Sequence, residues 1–86
     1  MIVKELTINC APEFQAKFMA IFIKKASGFK SKIWIVKNER KANAKSLLGI
    51  LSLGMLKGAR VKLMVEGEDE EQAARELEEY LCPESR

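Results

Sequence analysis

Lys45-Ser46-Leu47-Leu48-Gly49-Ile50-Leu51-Ser52-Leu53-Gly54 is the stretch around which the rest of the chain organises itself. Ser46 stands immediately before the apolar run, where its hydroxyl can cap a first helical turn, and Gly54 followed by Gly58 supplies stop and turn signals, so the run predicts a helix of about two turns. On such a helix Leu47, Leu48 and Leu51 share one side, while Ile50 and Leu53 share the other. One side can enter a core. The second side then leaves a small apolar patch at the surface, next to a hydroxyl at the positive end of the helix dipole. The plain alternative is a fully buried short helix whose serine is only a cap.

Outward from this stretch the chain alternates between two periods. Ile2-Val3-Lys4-Glu5-Leu6-Thr7-Ile8 reads as a strand with Ile2, Leu6 and Ile8 on one side, interrupted by Lys4 and ended by Pro12. From Phe14 to Gly28 the period is helical, with Met19, Phe22, Ile23 and Ala26 as the inner stripe, widened by Phe18 and Ile21. Lys32 to Lys37 alternates again, and the polar pair Asn38-Glu39 before Arg40-Lys41-Ala42-Asn43 predicts a tight hairpin. After the central helix, Arg60 to Glu66 is a strand with Val61, Leu63 and Val65 inward. Gly67 then turns the chain into a final helix over about Asp69 to Leu81, with inner face Ala73, Ala74, Leu77, Tyr80 and Leu81 and with Glu70 and Glu71 near its positive end. The order β-α-β-β-α-β-α predicts an α+β domain, an open-faced sandwich with three helices on one side of a four-stranded, mainly antiparallel sheet. Trp34 and Met64 fall on the face left to solvent.

Eighty-six residues make one domain, 1–86, with 48% hydrophobic and 31% charged residues, enough for a modest core without staples. No apolar run approaches bilayer length and the first residues lack a signal-peptide pattern, so the expectation is a cytoplasmic protein with no membrane partner. Cys10 and Cys82 are far apart and the chain has no histidine. Neither a zinc site nor a Cys/His nucleophile can be built from them, and both are expected to be free thiols. The net charge of +3 is unevenly spread: residues 1–65 carry 13 Lys/Arg against 3 Asp/Glu, and residues 66–86 carry 2 against 9. A basic body can attract acidic partners, nucleic acid among them, although scattered lysines are more commonly a solvated surface.

The segment Asn43-Ala44-Lys45-Ser46-Leu47-Leu48-Gly49-Ile50-Leu51-Ser52-Leu53-Gly54 resembles the regulatory-serine segment of the HPr family of bacterial phosphotransferase-system proteins. The resemblance extends over essentially the whole chain and is strongest from Lys41 to Glu71. It departs at one place. In phosphocarrier members the loop before the first helix carries glycine, an apolar residue, the phosphoryl-accepting histidine, alanine, arginine and proline; here it reads Glu13-Phe14-Gln15-Ala16-Lys17-Phe18. An amide cannot act as the nucleophile that an imidazole nitrogen provides. Lys17 offers a point charge where a planar fork would grip phosphate oxygens, and Glu13 adds a negative charge beside it.

The chain is therefore similar to the catabolite repression HPr-like branch, which also has glutamine at this position and keeps the serine. That resemblance implies a regulatory protein with neither catalysis nor a cofactor. Its Ser46 would be phosphorylated by HPr kinase/phosphorylase, and the phospho-form would act as corepressor for a LacI-type catabolite control regulator. Carried over by position, Ser46 is the modification site, Lys45, Leu47, Leu48 and Leu51 are contacts for the partner, and Gln15 and Lys17 are rim contacts. Two other readings stand beside it. One is a decoy or adaptor that binds phosphotransferase-system enzymes without accepting phosphate; the other is a small basic nucleic-acid-binding module, suggested by Trp34 on an open sheet face.

Overall fold

The computed structural model describes residues 1–9, 15–54 and 58–83. Its elements are β1 (Ile2–Thr7), α1 (Gln15–Ser27), β2 (Lys32–Lys37), β3 (Arg40–Asn43), α2 (Leu47–Leu53), β4 (Arg60–Glu66) and α3 (Glu70–Leu81). The four strands form one sheet in the order β1-β4-β2-β3, and every neighbouring pair is antiparallel. This is the α+β open-faced sandwich, with β4 at the centre, between the first strand and the second. Cys10, Pro12, Glu13 and Phe14 lie outside the described residues, so the expectations placed on them stand apart from the structure.

The inner face of the sheet follows from alternation. Leu6, Ile33, Ile35, Ala42, Val61, Leu63 and Val65 are buried against Met19, Phe22 and Ala26 of α1, Ile50 and Leu53 of α2, and Ala73, Ala74, Leu77 and Leu81 of α3. Ile2, Phe18, Ile23 and Tyr80 sit at the margin of this core, only partly covered. Tyr80 is held there by its ring, stacked on Phe18 with centroids 4.7 Å apart, and by its hydroxyl, which donates to the Phe18 carbonyl at 2.8 Å. An amphipathic ring at the rim keeps its polar tip satisfied in this way. Lys4 breaks the pattern of β1 without cost to the core: it stays exposed, with its ammonium 3.8 Å from Glu78 of α3.

Two turns fix the geometry. Asn38 and Glu39 have φ of 51° and 68°, both in the left-handed region, and join β2 to β3 as the two-residue hairpin whose twist matches that of the strands. At the other end of the sheet, Gly67 has φ of 154°, and a Cβ there would fall 2.6 Å from Ser31 Cα. Only glycine allows β4 to turn so close to the loop between α1 and β2. That loop is also tied by Asp69, whose carboxylate accepts from the backbone N–H groups of Lys30 at 2.9 Å and Ser31 at 3.0 Å and from the Ser31 hydroxyl. Asp69 occupies the N-cap position of α3, yet it makes no side-chain bond to its own helix. The Ser31 hydroxyl is the first cause, and the Lys30 N–H the next, of a carboxyl pKa below its ordinary value.

On the open face, Val3, Met64, Trp34 and Asn43 stand in one row across the four strands. Trp34 faces outward, as alternation requires, but is half-buried instead of fully exposed, because Met64 stands beside it and the Lys41 ammonium lies 4.4 Å from its ring centroid.

Candidate functional site

α2 is a seven-residue helix that divides as its spacing predicts. Ile50 is fully buried and Leu53 nearly so, whereas Leu47, Leu48 and Leu51 are 53%, 80% and 46% exposed. Nothing in the helical period alone decides which side goes in. Packing does: α2 lies on β3, and a Cβ at Gly49 would already meet Ala42 Cβ and Ser46 Oγ at 3.4 Å. The close approach of Gly49 to Ala42 presses Ile50 and Leu53 into the core and turns the three leucines out.

Ser46 is the N-cap. Its backbone is extended (φ −105°, ψ 117°), its Oγ accepts from the Gly49 N–H at 3.2 Å, and its carbonyl accepts the Ile50 N–H at 3.0 Å. The approach to it is also fixed, since Asn43 Oδ1 accepts from the Lys45 N–H at 2.8 Å and the Asn43 carbonyl from the Ser46 N–H at 3.0 Å. This is a local side-chain turn of the kind that Asn favours, and Asn43 preceding Lys45-Ser46 is the signal from which it could have been read. The hydroxyl is half-buried and stands beside the exposed leucines, at the end of the helix where free N–H groups point outward.

The other end of α2 is held by two devices. Gly54 takes φ of 69° and donates its N–H to the Leu51 carbonyl at 3.2 Å, the left-handed cap that its position suggested. The second device was not anticipated from sequence: Lys37, from the end of β2, donates its ammonium to the carbonyls of Leu53 at 3.0 Å and Gly54 at 2.6 Å. A cation at a helix C-terminus meets both unsatisfied carbonyls and the negative end of the dipole. The available signal was that Lys37 continues the inward parity of Ile33 and Ile35, so its stem had to run toward the helices.

The remaining predicted residues are placed differently from one another. Lys45 adjoins Ser46, and its ammonium donates to the Phe29 carbonyl at 2.8 Å, beyond the end of α1. Lys17 is exposed near the start of α1, separated from the Ser27 end by ten residues, about 15 Å of helix. Gln15 opens α1, and its side chain lies outside what is described. Ser46, Leu47, Leu48 and Leu51 are thus assembled on one short element, and Lys17 is carried by α1, the helix that packs beside it. Cys82, at the C-cap of α3, is a free thiol. Among the described residues there is no group of three or more His, Cys, Asp or Glu that could hold a metal ion, and no helix long and apolar enough to cross a membrane.

Comparison with known proteins places this geometry. The family profile described as "PTS HPr component phosphorylation site" matches residues 2–82. The HPr-like protein Crh of Bacillus subtilis (strain 168) is 33% identical over 81 residues, 94% of this chain and 95% of the relative. The Phosphocarrier protein HPr of Buchnera aphidicola subsp. Schizaphis graminum is 37% identical over the same length, again covering 94% and 95%. Among solved structures, the phosphocarrier protein HPr from Bacillus anthracis superposes with a TM-score of 0.89 at 32% identity, over 93% of this chain and 95% of that one. The solution structure of Crh from Bacillus subtilis gives 0.70 at 32% identity, over 96% and 99%.

Proposed function

Because the chain belongs to the HPr family of phosphotransferase-system proteins and is similar to HPr-like relatives of the catabolite repression branch, we propose that it is a regulatory protein switched by phosphorylation at Ser46. HPr kinase/phosphorylase adds the phosphate from ATP, and the phospho-form is a corepressor of a LacI-type catabolite control regulator. The observation that carries the reading is the serine cap seated beside three exposed leucines on α2. The chain itself catalyses nothing.

The physical logic has two parts. A phosphate on an N-cap residue sits against free backbone N–H groups and the positive end of the dipole, so it can be accepted without melting the helix. Leu47, Leu48 and Leu51 offer too little area for tight binding alone, and a charge-assisted contact from phosphate to an arginine of the partner adds on the order of 1.5–3 kcal/mol, roughly a tenfold to hundredfold gain in affinity. Phosphoryl transfer from phosphoenolpyruvate is excluded on chemical grounds: Gln15 stands at the family's acceptor position, and no histidine is present anywhere in the chain.

The test is intact mass after incubation with HPr kinase and ATP, followed by titration of the regulator with both forms. One phosphate on the native chain, none on Ser46→Ala, and tighter regulator binding by the phospho-form alone are expected. Labelling elsewhere, or equal binding by both forms, would sink the proposal. The decoy reading uses the same leucine patch but needs no kinase, and enzyme I binding by the unmodified chain separates it.

A further inference from the structure

We infer that the open face of the sheet is a second binding surface, distinct from α2, that takes single-stranded nucleic acid, with Trp34 as the stacking platform and Lys41, Lys62 and Lys32 as phosphate contacts. The pairing register supplies the geometry. Val3, Met64 and Trp34 form an apolar row across β1, β4 and β2. The row beside it, two residues along each strand, reads Glu5, Lys62, Val36 and Lys41, and on the other side of the first row Lys32 stands opposite Glu66. An apolar row containing the chain's only tryptophan is thus bordered by lysines on both sides. Glu5 is matched by Arg60 at 3.8 Å and Glu66 stands opposite Lys32, so Lys41 and Lys62 are the surplus charge on this face and Lys32 becomes a phosphate contact by turning from Glu66.

The Lys41–Trp34 pair makes the surface responsive. With its ammonium 4.4 Å from the ring centroid, Lys41 occupies the place that a base would take. A single ammonium over a half-buried ring at the surface is held by about 0.5–2 kcal/mol and a stacked base by about 1–3 kcal/mol, so an incoming base can displace it. The freed ammonium then lies beside the backbone of the strand whose base displaced it. Stacking and phosphate neutralisation are coupled through one side chain.

Charge and area select this occupant. A second copy would bring Lys32, Lys41 and Lys62 against their own kind. Strands of six, seven, six and four residues also present only about 360 Å² of projected face, less than half of what each partner of a standard interface contributes. An acidic peptide would satisfy the lysines but leave the Val3–Met64–Trp34 row without a matching flat surface. A single strand carries both phosphates and π-faces.

The full chain is titrated with the oligonucleotides rU12 and dT12 while the fluorescence of Trp34 is followed. Expected are quenching by either strand and an affinity that falls roughly twentyfold between 50 and 200 mM salt, the slope for three phosphate contacts to a single strand. Lys41→Gln and Lys62→Gln, both surface changes that leave the fold intact by circular dichroism, should each reduce that loss to roughly sevenfold. Trp34→Leu, followed by a label on the oligonucleotide, should weaken binding at least fivefold, whereas Leu48→Lys on the opposite face should not weaken it. Absence of quenching at 50 mM salt would overturn the inference. So would binding with an unchanged salt slope in both lysine variants, or equal quenching by polyglutamate, which would assign the face to an acidic protein.

Discussion

Replacing Lys37 by methionine tests whether a strand residue sets the stiffness of the α2 surface. The substitution keeps the apolar stem but removes the two hydrogen bonds to the Leu53 and Gly54 carbonyls, at 3.0 and 2.6 Å, and the positive charge at the end of the helix dipole. Hydrogen bonds to a charged group contribute about 1.5–3 kcal/mol and a terminal cation about 0.3–1 kcal/mol. Because one half-buried ammonium makes both bonds and water can replace part of them, a loss of about 2 kcal/mol is expected. For a domain of this size that lowers Tm by roughly 8–16 °C. Thermal unfolding followed by circular dichroism reads the magnitude, and hydrogen exchange at the amides of Ile50 to Leu53 shows whether the loosening is local to α2. Lys37→Arg should recover part of the loss. A fall in Tm under 2 °C, with exchange in α2 unchanged, would refute the reasoning and mean that Gly54 alone terminates the helix.

Asp69 should govern the acid limit of stability. Its folded pKa lies below the unfolded value, so its contribution is present above about pH 4 and is lost as pH falls through the lower folded value; Asp69→Asn should flatten that acid arm in urea titrations between pH 5 and 2. Gly67→Ala should destabilise by about 1–3 kcal/mol or more, since its Cβ would lie 2.6 Å from Ser31 backbone and φ is 154°; a neutral result by chemical denaturation would mean that the β4–α3 turn can open. Ser46→Ala should cost about 1 kcal/mol through loss of the cap while Leu48→Lys stays within about 0.5 kcal/mol, and equal losses in the two variants would show that Leu48 is packed.

Much of the fold was legible because its signals are local. Alternation in 32–37 and 60–66 separates the two faces of the sheet without any knowledge of the partner strands, and the offsets among Leu47, Ile50 and Leu51 divide α2 into an outer and an inner side. What could not be read were contacts whose members are distant in sequence. Lys37 caps a helix 16 residues later, Asp69 clamps a loop 38 and 39 residues earlier, and Tyr80 bonds to a carbonyl 62 residues away. Each depends on which elements become neighbours, and polar side chains carry no periodic mark of that. Lys45 shows the same limit: its ammonium is bound to the Phe29 carbonyl, 16 residues earlier, which no local pattern marks.

The central position of β4 also dictates when this chain can fold during its own synthesis. β2 and β3 can zip together as soon as the Asn38-Glu39 turn has formed, but a lone hairpin is marginal in water. Both remaining seams, β1 with β4 and β2 with β4, wait for residues 60–66. At 5–20 residues per second the first strand therefore spends several seconds with Ile2, Leu6 and its backbone edge unpaired before its partner exists. Lys4 and Glu5 in that strand are charges of the kind that blunt an unpaired edge against pairing with a neighbouring chain.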